Sequence, residues 1–126
     1  MSQLTVAILG ASSDRSKFGN KSLRAHLRAG YAVYPVNPRG GRIEGLAAYA
    51  ALADVPLERL NRISVYLPPP LGLALLPEIA AMDCDEVWFN PGSESRELLE
   101  QAHALGIRAI AGCSIVALGL SPAEFP

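Results

Sequence analysis

Cysteine and histidine are scarce, two of each in 126 residues, and neither histidine stands at ligand spacing from a cysteine. This excludes a disulfide framework, argues against a structural zinc site and fits a reducing compartment. Charge of one sign is also lacking. The net charge is −1 with 18% charged residues, which argues against indiscriminate binding to nucleic acid or to anionic lipid. Long apolar runs are missing too: the most apolar window, residues 67–82, is broken by Pro68, Pro69, Pro70, Pro77 and Glu78. A membrane helix needs ~20 apolar residues without such breaks. No charged-then-apolar leader opens the sequence, so the expectation is a soluble, cytoplasmic protein. What remains is a chain that is 50% apolar, sized for one domain over residues 1–126 with a single core.

Five short apolar runs recur, at residues 4–9, 31–36, 63–67, 86–89 and 107–110. Helical patterns separate them at 21–29, 71–82 and 93–105, with a weaker one at 46–52. Strands alternating with helices predict an α/β fold, a five-stranded parallel sheet with helices on both faces. Right-handed crossovers leave few topologies, and the expected strand order is 3-2-1-4-5. The first helix is expected to be capped by Asn20, to bury Leu23 and Leu27, and to stop at Gly30. The last is expected to start at Ser93 or Ser95 and to bury Leu98, Leu99, Ala102 and Leu105. The tail from Leu120 to Pro126 is either a short cover or frayed.

The opening organises the rest. An apolar strand runs into Gly10-Ala11-Ser12-Ser13, a turn of small residues, and then into a helix start. That arrangement presents backbone N–H groups and a positive dipole end to a phosphate. In an open parallel sheet the ligand lies beyond the carboxyl ends of the strands. The other exits are Asn37-Pro38-Arg39-Gly40-Gly41-Arg42, Pro68-Pro69-Pro70, Asn90-Pro91-Gly92-Ser93 and Ala111-Gly112-Cys113-Ser114. An NAD site would show Gly-x-Gly-x-x-Gly and an acidic residue ending the second strand. Neither is present. Arg39 and Arg42, with Lys17 near the first loop, suit a ligand carrying extra phosphate near its adenosine ribose; as plain solvated charges they would mean nothing more.

Three stretches carry a resemblance: Gly10 to Ser13 with Lys17-Phe18-Gly19, then Gly30 to Pro38, then Ile43-Glu44-Gly45 with Leu52 to Pro56. Together they resemble the stand-alone CoA-binding domain family, similar to the nucleotide-binding domain of the succinyl-CoA synthetase α-subunit. Val65 to Pro70 and Asn90 to Glu94 continue the match. The resemblance implies a single Rossmann-like doubly wound domain holding CoA or an acyl-CoA. Gly10, Ala11, Ser12 and Ser13 with Lys17 would cradle the diphosphate, and Phe18 and Gly19 would belong to the same cofactor site. Asn37, Pro38 and Arg39 would line the adenosine side, with Arg39 or Arg42 near the 3′-phosphate. Leu67, Pro68, Pro69 and Pro70 would form an apolar wall for adenine or the pantetheine arm, and Asn90 and Gly92 would stand at the fourth exit. Many relatives carry an arginine after the third strand, and Tyr66-Leu67-Pro68 has none.

No acid/base or nucleophilic set stands at the strand exits. Cys113 follows the fifth strand, where a short helix opening at Ser114 would favour a thiolate facing the CoA thiol; the alternative is a small buried filler. Cys84 is expected to be structural, and His26 and His103 to lie away from the pocket. The function expected is non-catalytic binding of CoA or an acyl-CoA as a carrier, sensor or part of a complex. The alternative is a small NADP-dependent or acyl-CoA-transforming enzyme subunit that needs a partner, and a third is a fold retained only as an interaction surface. The partner is a small-molecule nucleotide, with no nucleic acid and no membrane. A homodimer or an unidentified protein partner is left open, with Trp88, Phe89 and Phe125 as apolar interface candidates.

Overall fold

A computed structural model describes residues 3–126. In chain order the elements are β1 (Thr5–Leu9), α1 (Phe18–Arg28), β2 (Ala32–Val36) and a small hairpin of β3 (Arg42–Ile43) and β4 (Leu46–Ala47). A 3-10 turn at Leu52–Asp54 leads to β5 (Arg59–Val65), α2 (Pro69–Ala81), β6 (Asp83–Phe89), α3 (Arg96–Ala104) and β7 (Ala109–Ala111). A one-turn helix α4 (Ser114–Ala117) and a 3-10 turn at Pro122–Glu124 close the chain.

The fold is α/β, a five-stranded parallel sheet flanked by helices, as the alternation of patterns predicts. The strand order differs from the expected one. It runs β2-β1-β5-β6-β7, which in the count of five predicted strands is 2-1-3-4-5 and not 3-2-1-4-5. The cause lies in β2. Tyr49 donates its N–H to the Pro35 carbonyl at 2.9 Å, and Asn37 donates its N–H to the Tyr49 carbonyl at 2.9 Å. The side of Pro35 that lacks a donor therefore faces outward, against Tyr49 in the segment just after the hairpin. A proline so placed belongs to an edge strand. The third predicted strand instead joins the far side of β1, where Val6 pairs with Arg62 and Leu9 with Val65. This puts the topological switch, and with it the crevice, between β1 and β5.

Alternation along β1 builds two cores. Val6 and Ile8 pack with Leu23 and Val33 beneath α1, while Ala7 and Leu9 join Val65, Leu76, Ile79, Phe89 and Leu98 beneath α2 and α3. Each large apolar side chain so buried contributes about 1.5–3 kcal/mol. Several local expectations are corrected. Lys17, not Asn20, is the N-cap of α1 and makes no side-chain cap bond. Leu27 is 40% exposed, because α1 turns Ser22, Leu23, Ala25 and His26 inward. Gly30 ends the helix at a φ of 91°, as expected. The stretch at 46–52 is not helical: it supplies β4 and the approach to a 3-10 turn. In α3 the cap is Ser95, whose Oγ accepts from the Leu98 N–H at 3.1 Å. Leu98 and Ala102 are buried there, whereas Leu105, past the helix end, is 50% exposed. Phe89 and Phe125 are both buried within the domain, so neither is free to form an interface. Among the described residues no helix is long and apolar enough to cross a membrane.

Candidate functional site

The carboxyl end of β1 turns at Gly10 with a φ of 84°, and a Cβ there would lie 2.3 Å from the Tyr66 carbonyl oxygen. Gly19, in the first turn of α1, would place a Cβ 2.3 Å from the Gly10 carbonyl oxygen. Both positions exclude a side chain, which lets the helix start sit directly on the strand exits. The loop between them is held by its own bonds. Ser12 Oγ accepts from the Asp14 N–H at 3.0 Å, and Asp14 Oδ1 accepts from the Ser16 N–H at 3.0 Å and Oγ at 2.6 Å. The Ser16 bonds hold the Asp14 carboxyl below its usual range. Asn20 and Asn37 brace the turn from either side, donating through Nδ2 to the Ser12 and Ala11 carbonyls, each at 2.8 Å. The positive end of α1 thus opens over a fixed turn.

Three recesses adjoin along this edge. The first, about 480 Å³, is polar, and Ser12, Ser13, Lys17, Asn37, Arg39 and Arg42 line it. Its cations come from the α1 cap, the β2 exit and β3. None of them forms an ion pair among the described residues; Arg42 Nη1 donates to the Gly45 carbonyl at 3.0 Å. The second, about 250 Å³, is almost wholly apolar and lies between α2 and the 3-10 turn, lined among others by Pro38, Leu52, Leu67, Leu71 and Leu75. The third, about 360 Å³, is walled by Lys17, Phe18, Gly19, Pro68, Pro69 and Gly92. Gly10 and Leu67 border the second and third, and Lys17 the first and third, so the three form one continuous edge.

Most of the residues singled out in the sequence meet here. Three do not. The Ala11 side chain is 1% exposed and packs in the core with Leu23. Asn90 is also 1% exposed, with its amide spent on internal bonds. Its Nδ2 donates to Ser64 Oγ and the Val65 carbonyl at 2.9 and 3.0 Å, and its Oδ1 accepts from the Ser114 N–H at 2.8 Å. It ties the exits of β5, β6 and β7 together beneath the surface. Cys113 borders none of the three recesses and packs against Ala25, Ile115 and Phe125 instead. Its one-turn helix places Ile115 in that cluster. Cys84, at the amino end of β6, donates to the Glu86 carbonyl at 3.2 Å, and burial pushes its thiol up to about 11. Missed by the sequence reading were Leu71, Leu75 and Glu78 on α2. The fourfold spacing of Leu71, Leu75 and Ile79 after the three prolines was the available signal. Among the described residues no cluster of His, Cys, Asp or Glu could hold a metal ion.

A model of the CoA binding domain matches residues 4–119. The chain belongs to this family. It is 30% identical over 118 residues to the α-subunit of an ADP-forming acetate–CoA ligase from Pyrococcus furiosus, an alignment covering 83% of this chain and 25% of that subunit. The domain therefore spans about a quarter of the length of that relative. A Thermus thermophilus structure superposes with a TM-score of 0.82 at 32% identity, covering 90% of this chain and 87% of that one. A dinucleotide-forming acetyl-coenzyme A synthetase from Ca. Korarchaeum cryptofilum, in complex with phosphate and ADP, matches with a TM-score of 0.70 at 27% identity, over 84% of this chain and 25% of its own.

Proposed function

We propose that this CoA-binding-family domain holds CoA or an acyl-CoA across the carboxyl edge of its sheet without transforming it, as a carrier, a sensor or one component of a complex. The diphosphate lies over the turn from Gly10 to Ser13 with Lys17 beside it, and the 3′-phosphate lies against Arg39 and Arg42. The adenine enters the apolar recess beside Pro38 and Leu67, and the pantetheine arm runs along Phe18, Pro69 and Gly92. The observation that carries this reading is the gathering of Lys17, Arg39 and Arg42, none in an ion pair among the described residues, around one recess at the turn between β1 and α1. Glu78 is the only carboxylate lining the three recesses among the described residues, so no acid–base pair faces the ligand. The ligase subunits among its relatives make a protein partner the natural setting for such a module.

Titration calorimetry with CoA, acetyl-CoA, dephospho-CoA and NADP tests the reading. CoA and acetyl-CoA should bind alike, and dephospho-CoA about 10- to 100-fold more weakly, the size of a lost charge-assisted contact. The R39A/R42A double variant should bind CoA no better than dephospho-CoA. Equal affinity for CoA, dephospho-CoA and NADP in the wild type would overturn the assignment of these arginines, and absence of CoA binding would overturn the function.

A further inference from the structure

We infer that Glu78 sets the base specificity of the apolar recess, accepting a hydrogen bond from the exocyclic amine of a 6-amino purine; this rests on the CoA reading above. Glu78 is the one lining residue of that recess whose side chain carries polar atoms. It lies one and two turns along α2 from Leu75 and Leu71, at the end remote from Gly10 and Pro38, where the recess meets the phosphate-facing turn. A purine is joined to its ribose through N9, so a base entering from the Gly10 end carries its 6-position toward the remote end. One oxygen, Oε1, accepts from the Ala53 N–H at 2.8 Å, which fixes the carboxylate against the 3-10 turn. No bond engages Oε2 among the described residues, and Glu78 belongs to none of the ion pairs. An acceptor-only carboxylate takes an N–H of a 6-amino group. Facing the 6-position, it meets the oxygen of a 6-oxo purine as a second acceptor, and only a shifted base could offer its N1–H instead. The mismatch costs the 6-oxo purine the charge-assisted bond that the 6-amino purine makes.

The test compares CoA with its 6-oxo analogue, hypoxanthine in place of adenine, by calorimetry on the wild type, E78Q and E78M. The wild type should prefer CoA by about tenfold or more. In E78Q the amide oxygen keeps the Ala53 bond, while the amide NH2 can donate to a 6-oxo group. Its preference should fall to about threefold or less, or reverse. E78M, near in size and without an acceptor of comparable strength, should also lose the preference, and urea unfolding of each variant identifies any that has not folded. A wild-type preference that persists in both folded variants, or a wild type that binds both compounds equally, overturns the role of Glu78 and leaves the CoA reading standing. A wild type that binds neither compound overturns the CoA reading itself and this inference with it.

Discussion

His26 lines none of the three recesses, in line with its expected place away from the pocket, but it is not idle toward the fold. It is fully buried in α1, with Nδ1 2.8 Å from the Ser22 carbonyl oxygen and Nε2 3.3 Å from Arg62 Nη1. The carbonyl requires a proton on Nδ1, which leaves Nε2 as the acceptor for the guanidinium; the neutral ring satisfies both neighbours. Arg62 is in turn held by Glu86, with Nη2 to Oε1 at 2.8 Å and Nε to Oε1 at 2.9 Å. Burial holds the imidazole at about 4, below the usual 6.5, and the nearby Arg62 charge acts in the same direction. Between those values the unfolded chain binds a proton that the folded chain does not, so stability rises with pH in that window and falls as the pH drops through it. From pH 7 to pH 5 the expected loss from this residue is about 2 kcal/mol. Urea unfolding at the two pH values, in wild type and H26Q, checks it: the variant should show a correspondingly smaller loss, and an equal loss in both would assign the acid sensitivity to carboxylates.

The elements show which features of the fold a sequence of this kind makes visible. The tail is a clear case. Phe125 inserts beside Ala25 and Ile115, the Arg28 guanidinium lies 4.3 Å from its ring centroid, and Arg24 Nη2 donates to the Phe125 carbonyl at 3.1 Å. Deleting residues 122–126 should cost about 2–4 kcal/mol in urea unfolding, from one buried aromatic side chain and its cation–π contacts with Arg28 and Arg24. CoA affinity should not change, since this face lies behind the sheet edge; a cost below about 0.5 kcal/mol would make the tail a passive cover. Its role was not legible beforehand because Phe125 becomes apolar cover only once α4 turns the chain back onto α1. Element type was legible where one periodicity dominated: the apolar run of β1, the Ser95 start of α3 and Gly30 after α1. The buried face of α1 was misread because Ser22 and His26, both polar, enter the interior with Arg62 and Leu27 does not. Strand order was misread although Pro35 carried the signal that β2 lies at an edge. Along the edge, the strand exits in the sequence pointed to the glycines and cations that the structure gathers, whereas Glu78 became visible only when α2 was laid against the 3-10 turn.

At the scale of the whole molecule, the edge joins parts of unequal anchorage. The turn at 10–17 is fixed by Asn20, Asn37 and the bonds of Asp14. The hairpin that carries Arg42 buries only Ile43, and its tip is held through Glu44, which accepts from Arg15 and from Asn20, each at 3.2 Å. Glu44 itself sits at a φ of 50°, a left-handed conformation that costs a non-glycine residue energy. A segment with one buried side chain and few, largely accessible links opens at lower free energy than the sheet it flanks. A ligand that reaches both the turn and the hairpin stabilises the domain by mass action, and most where opening had been easiest. Amide hydrogen exchange on the protein alone, with CoA and with dephospho-CoA, separates the two parts. CoA should slow exchange at 10–17 and at 39–47, whereas dephospho-CoA, lacking the 3′-phosphate proposed to meet Arg39 and Arg42, should slow it at 10–17 alone. Equal protection of the hairpin by both compounds would show that the 3′-phosphate does not reach it.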